Sequence, residues 1–499
     1  MFVMHGDAVS LRMRKSFLAL GLSFLVSGCA IKMDPLTAEN NLTFAKEQLK
    51  RVSANQEPFT GPVTIYEAMA RALKYNLDAR VEMMDAALKV RSAELSGYGM
   101  LPTLVASSGY AGRNDADAST VSTRDKDILS SDLTFSWNIL DFGLSYVRAK
   151  QSADQALIQQ EMKRKVINRV FEDVRTAYWR TVSYERLVGR MHALEGRISK
   201  ALHNTTQLST GQENSPLIAL TYERDLIQVQ REIEILEGEL KVSKSQLAAI
   251  MNAEPGTSFK LAVPKQNETR LGLPNDLHGL FAIAASNRPE MREIAYRIRI
   301  NDRDIDAAML ELLPNFNLYA GVSYDSNEFV AANDWISWGS KVSWNLLKLT
   351  TTPTLLKKVD AQKAALDTRA LSVAMAVMTQ VHISRVRYQH LQKSYVTATS
   401  LSDVSHRLLT QIRSETLAQN VGEQALIREE MNTLLADAKR DMVYADLQSA
   451  YANVYTSLGL DPFPANVNTG DSVAGITTQL EAMWNERQTN MQIADKGVK

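Results

Sequence analysis

Hydrophobic positions along this chain switch between the three-and-four spacing of helices and strict alternation. Leu226, Val229, Ile233, Leu236, Leu240, Leu247 and Ile250 follow the seam of a supercoiled helix pair. Ile167, Val170, Val174 and Ala177 do so on the preceding segment, and Ile427, Met431, Leu434 and Ala438 do so far downstream. Elsewhere the period is two. Leu133, Phe135, Trp137 and Ile139 alternate with Asp132, Thr134, Ser136 and Asn138. Phe316, Leu318, Ala320, Val322 and Tyr324 alternate with Asn317, Tyr319, Gly321 and Ser323. Ile336, Trp338, Val342, Trp344 and Leu346 alternate with Ser337, Gly339, Lys341, Ser343 and Asn345. A weaker strand after Pro102 carries Leu104, Ala106, Ser108 and Tyr110. Such runs fit a sheet packed on a soluble core, or strands of about 9–11 residues that cross a membrane.

The pattern occurs twice, at a spacing of roughly 210 residues, which points to two fused half-molecules. Phe135-Ser136-Trp137-Asn138-Ile139-Leu140 returns as Val342-Ser343-Trp344-Asn345-Leu346-Leu347, and Leu101-Pro102 returns as Leu313-Pro314. Asn76 matches Asn287, Thr210-Gly211 matches Val421-Gly422, and Met251-Asn252 matches Leu458-Gly459. Each half predicts a helix (65–99; 277–312), two strands, a very long helix (146–202; 354–409), a break (208–216; 412–424) and a returning helix (217–251; 423–458). Helices reaching roughly 80–90 Å must lie side by side as a wall. Each half is expected to supply its own incomplete sheet, with 114–131 and 325–334 as polar external loops. Four strands cannot close a barrel, and an open edge cannot sit in hydrocarbon, so strands that enter lipid require several chains to share one barrel.

Composition narrows the class. The 499 residues carry 56 basic and 56 acidic side chains, and this balance gives no reason to expect a nucleic-acid partner. The one cysteine, Cys29, ends the run Leu25-Val26-Ser27-Gly28 after a basic stretch (Arg12, Arg14, Lys15) and an apolar one (17–26). Residues 1–28 therefore read as a lipoprotein signal peptide, with Met13 giving the tidiest start, and Cys29 as the acylated N-terminus of the mature protein. The alternative is a free cysteine in an ordinary core. Ala30, rather than aspartate, after that cysteine suits passage to the outer membrane. No run of about 18 apolar residues follows.

Catalytic signatures are missing. Seven histidines include no His-Glu-x-x-His pair, and no Gly-x-Ser-x-Gly elbow or phosphate-cradling glycine loop occurs. His382 and His390 read as surface or seam residues, and Met83-Met84 as helix packing. No enzyme activity, cofactor or metal is expected.

Thr64-Ile65-Tyr66-Glu67-Ala68 with Asn76, Asn287-Arg288-Pro289-Glu290, and the two Ser-Trp-Asn strands with Asp141-Phe142-Gly143 resemble the TolC family of outer-membrane efflux proteins over 63–459. That resemblance implies a mainly α fold with a transmembrane β-barrel: a homotrimer whose four strands per chain form one twelve-stranded barrel, above an α-barrel of duplicated helical hairpins. The chain then divides into an anchored segment (29–62), a first repeat (63–252, hairpin 101–141), a linker (253–274), a second repeat (275–459, hairpin 313–347) and a C-terminal segment (460–499). The linker, the C-terminal segment and part of the N-terminus would form an equatorial region. Phe135, Trp137, Trp338 and Trp344 would face outer-membrane lipid. The function implied is a passive exit duct, for efflux or secretion, joined by a periplasmic adaptor to an inner-membrane transporter. Gly211, Ser215, Val421 and Gly422 would form the tips that meet the adaptor. The family's aspartate ring falls here on Ala425 and Arg428, so Glu423, Arg428 and Glu429, with Glu430, become the candidate gate, the alternative being a solvated helix face. A lipid-anchored periplasmic coiled-coil scaffold without a pore is the alternative, and a lipoprotein hydrolase is disfavoured by the missing catalytic set.

Overall fold

The structure is a computed structural model that describes residues 34–52, 54–113, 125–209, 216–264, 276–420, 422–460 and 467–497. Cys29, Gly211, Ser215 and Val421 lie outside the described residues. Two compact units are present, 1–56 and 57–499. The first contains helix α1 (Ala38–Val52), which buries none of its residues.

In the second unit the order helix, helix, strand, strand, long helix, returning helix occurs twice. The first pass is α2 (Ile65–Tyr75), α3 (Leu77–Tyr98), β1 (Thr103–Gly112), β2 (Asp127–Asn138), α4 (Ile139–Ser209) and α5 (Pro216–Ile250). The second is α6 (Leu277–Asn287), α7 (Pro289–Leu310), β3 (Asn315–Asp325), β4 (Asp334–Ser343), α8 (Lys348–Leu417) and α9 (Glu423–Ser457). Helix α10 (Val473–Gly497) follows.

Two predicted helices prove to be pairs. Thr64 caps α2 by accepting from the Glu67 amide at 3.1 Å. Asn76 then closes α2 and opens α3: its side-chain oxygen accepts from the Ala79 amide at 3.1 Å, and its amide group donates to the Ile250 carbonyl at 3.1 Å. In the second pass Asn287 ends α6, and Pro289 at the first position of α7 forces the break. The long helices also exceed expectation. Helix α4 takes in the Asp141-Phe142-Gly143 segment, and α8 starts before Pro353; with 71 and 70 residues, each has a contour of about 105 Å.

The strands form one antiparallel sheet in the order β1-β2-β3-β4. The expectation of two separate incomplete sheets is therefore corrected: β2 pairs with β3, with Trp137 opposite Leu318 and Phe135 opposite Ala320. The first external loop is also shorter than 114–131, because β2 begins at Asp127, opposite Gly112.

Three apolar cores hold the helices. One gathers Val63, Met69, Leu73, Phe171 and Tyr178 with Phe259 and Leu261 and with Ile476 and Leu480 of α10. Val63 bridges Leu261, its amide donating to the Lys260 carbonyl at 2.9 Å. Glu57 supports the same region, its carboxylate taking the Lys74 ammonium at 2.8 Å and the Val473 amide at 3.1 Å, where the helix dipole favours negative charge. The second core is the hairpin seam: Leu226, Ile233, Leu236 and Leu240 pack on Met191, Leu194 and Ile198, and on Ile427, Met431 and Leu434. Each such side chain contributes about 1.5–3 kcal/mol on burial. The third joins Leu280, Val381, Tyr388, Tyr451, Tyr455 and Trp484.

Candidate functional site

The sheet register sorts its side chains onto two faces. One carries Leu104 and Tyr110, Leu133, Phe135 and Trp137, Leu318 and Val322, and Ile336, Trp338 and Val342. The other carries Ser107, Asp132, Thr134, Ser136, Asn317, Ser337 and Lys341. On this polar face Ser107 donates to Asp132, and Ser136 donates to Asn317 at 3.0 Å. Tyr319 lies over Gly339, where a Cβ would come within 2.7 Å of its ring.

Among the described residues, none of this apolar face belongs to the three cores. Leu104, Tyr110, Ile336, Trp338 and Val342 are 66, 72, 75, 81 and 63% exposed. A sheet built on a soluble core buries this face instead. Among the described residues no strand lies beside the outer edge of β1 or β4. Among them, too, no helix is long and apolar enough to cross a membrane.

Below the sheet, α4 and α9 run antiparallel with a charge ladder between them. Arg186, Arg190 and Arg197 of α4 meet Asp441, Asp437 and Glu430 of α9 in one register. Asp437 is 2% exposed and is held from two neighbouring helices: by Arg190 of α4, and by Ser402 Oγ at 2.6 Å and His406 Nε2 at 3.1 Å from α8. Arg440 links the layers, contacting Ser402 at 3.0 Å and Asp441 at 3.1 Å. Burial acts to raise the Asp437 pKa, but hydrogen bonds from Arg190 and Ser402 and the charges of Arg190 and His406 outweigh it and hold the carboxyl below its ordinary range. Because the folded value lies below the unfolded one, the carboxylate stabilises the fold above the unfolded pKa and loses that contribution as pH falls through the folded one. Asp437→Asn should therefore lower stability by about 2 kcal/mol at neutral pH and shrink the difference from wild type below about pH 4. Denaturant titrations at pH 7 and pH 3 check it; an equal deficit at both excludes the linkage.

The candidate residues are placed differently from one another. Phe135 and Trp338 share one row of the sheet across Ala320. Trp137 is half-buried edge-on to Phe142, with ring centroids 6.1 Å apart. Trp344 follows the end of β4, and its indole donates to the Leu312 carbonyl at 3.0 Å. Gly422 is the N-cap of α9. The gate candidates do not converge within one chain. Glu423 is exposed, 3.9 Å from Arg197. Arg428 is exposed and paired with Asp225 of α5. Glu429 is buried and accepts from Asn432 at 3.3 Å. The ladder was not singled out in the sequence, although the arginine spacing on α4 mirrors the carboxylate spacing on α9.

No protein-family model matches the chain. The chain is 24% identical over 331 residues to the probable outer membrane lipoprotein SilC of Salmonella typhimurium, covering 62% of this chain and 68% of that protein. Among solved structures, the CmeC outer membrane channel of Campylobacter jejuni aligns over 86% of this chain and 95% of its own, with a TM-score of 0.66 at 11% identity. The open state of the MtrE outer membrane channel of Neisseria gonorrhoeae aligns over 80% and 89%, with a TM-score of 0.65 at 15% identity. The chain has the fold of the TolC family of outer-membrane efflux channels.

Proposed function

We propose that three copies of this chain form an outer-membrane channel, the passive exit duct of an envelope-spanning efflux or secretion assembly. The observation that carries this reading is the sheet: an exposed apolar face, a polar reverse face and two open edges. Lipid satisfies the first, a water-filled lumen the second, and neighbouring copies the third. Exposed helical stripes support lateral assembly as well. Val81, Met84, Leu88 and Leu95 on α3, and Leu401, Val404 and Leu408 on α8, recur at helical spacing and are 46–71% exposed.

The chain divides on this reading into two repeats, 63–252 and 275–459, joined through an equatorial region. Acylation at Cys29 adds a lipid anchor, and the segments 211–215 and 421–422 meet a periplasmic adaptor that leads to an inner-membrane transporter. The gate takes Glu423 and Arg428 from each copy; the burial of Glu429 gives it a supporting place behind them. A ring of like charges restricts ion flow when it closes and favours counter-ions when it opens.

Planar-bilayer recording on detergent-purified protein tests the whole reading. Expected are a steady conductance, a trimer that resists detergent until boiled, lipid mass on Cys29, and altered conductance in Glu423→Gln and Arg428→Gln. Protein that neither conducts nor forms the heat-resistant species would instead be the periplasmic scaffold.

A further inference from the structure

A second feature of the hairpin α4–α5 is independent of conduction. Along this pair the same antiparallel register recurs every two turns. Glu185 stands opposite Lys244, with carboxylate and ammonium 2.7 Å apart. One heptad further along α4, His192 stands opposite Glu237, with Nε2 and Oε1 3.6 Å apart. Glu195, one turn beyond His192, supplies a further carboxylate in place of a cation. The donor atoms of His192, Glu195 and Glu237 all lie within 4.8 Å of one another. Among the described residues neither carboxylate has a lysine or arginine within ion-pair distance, unlike Glu185, Asp225 and Glu430 on the same two helices and on α9.

We propose that His192, Glu195 and Glu237 bind a zinc-like divalent cation that staples α4 to α5. Donors about 2.0–2.2 Å from a tetrahedral ion stand about 3.4 Å apart, so modest side-chain rotations bring this set into place. Two carboxylates balance the charge of a divalent ion, and the neutral imidazole selects borderline first-row metals over magnesium or calcium, which prefer all-oxygen shells. None of the three donors is a thiolate or thioether, so soft univalent ions are not favoured here. Three protein donors leave a coordination position for water. The first hairpin thereby gains a cross-link that binds only the folded state and raises its stability with metal concentration.

The test uses the full chain in detergent, purified through a tag free of histidine. Zinc chloride is titrated calorimetrically, and cobalt(II) absorption reports the nitrogen-containing shell. Expected is one zinc per chain, a melting temperature that rises with zinc, and affinity reduced at least about tenfold in Glu237→Gln and in His192→Ala, two surface-facing changes that keep the wild-type circular dichroism. Glu195→Gln should weaken binding similarly. Zinc affinity unchanged in all three variants, or displacement of the zinc by an equal concentration of magnesium, would overturn the assignment. Conductance measured without metal is expected to be unaffected, which separates failure of this site from failure of the channel.

Discussion

Trp338→Lys is expected to keep the protein out of the outer membrane, while Ser337→Lys, its chain neighbour, leaves insertion intact. Trp338 lies at the middle of β4 and is 81% exposed on the apolar face. Ser337 projects onto the opposite face, as does the native Lys341. A lysine on the lipid side at mid-depth costs about 2–4 kcal/mol. In a three-chain barrel it occurs three times, so the assembly loses about 6–12 kcal/mol. Heat-resistant trimer in isolated outer membranes, read on unboiled gels, should fall below detection for Trp338→Lys and stay near wild type for Ser337→Lys. Equal loss in both would mean that the two faces do not divide lipid from lumen. Equal tolerance would mean that the sheet never enters lipid.

Gly459→Ala should be the most damaging small change in the helical part. Gly459 adopts φ +70°, and a Cβ there would lie 2.5 Å from the Asn287 carbonyl carbon and 2.7 Å from the Arg288 amide nitrogen. Both are backbone atoms at the break between α6 and α7, so no rotamer change makes room. The same joint is tied by Arg164, which donates to the Gly459 carbonyl at 2.6 Å and to the Asn287 carbonyl at 2.9 Å, and by Arg288, which donates to the Thr456 carbonyl at 2.9 Å. Left-handed strain of about 1–2 kcal/mol and displacement of about 1–3 kcal/mol add to a loss of about 2–5 kcal/mol. Asn252 has the matching left-handed conformation (φ 56°) after α5, and Asn252→Gly should change stability by less than about 1 kcal/mol. Denaturant midpoints of the two variants decide the point: similar shifts would rule out the backbone collision as the cause.

The strands were legible because a period of two, anchored by Trp137 and Trp338, cannot lay its apolar side chains along one face of a helix, although the same alternation carried the expected strand past its true end to Trp344. The seam was legible because Ile233, Leu236, Leu240, Met431 and Leu434 repeat at heptad spacing, and all five are buried. Helix limits were less so. Asn76 ends one helix and starts the next without interrupting the apolar pattern, and Pro353 disguised the true start of α8 at Lys348. Long-range pairing was not legible at all. Nothing local to β2 says that its partner is β3, and nothing near His192 announces Glu237 on the returning helix. Glu429 read as a charged constriction because a carboxylate on a helix is ordinarily wet, whereas here the packing of α9 encloses it.

The joining of β2 to β3 has a cost during biogenesis. Ser136 and Asn317 touch across 181 residues of sequence, so the middle of the sheet cannot be zipped until most of the polypeptide has been synthesised. Contacts of such high sequence separation form slowly, and until they do the inner edge of β2 keeps its backbone amides and carbonyls unpaired, a template for wrong strand partners. A holdase that shelters this half-finished sheet would be as necessary to the cell as the machinery that finally inserts it.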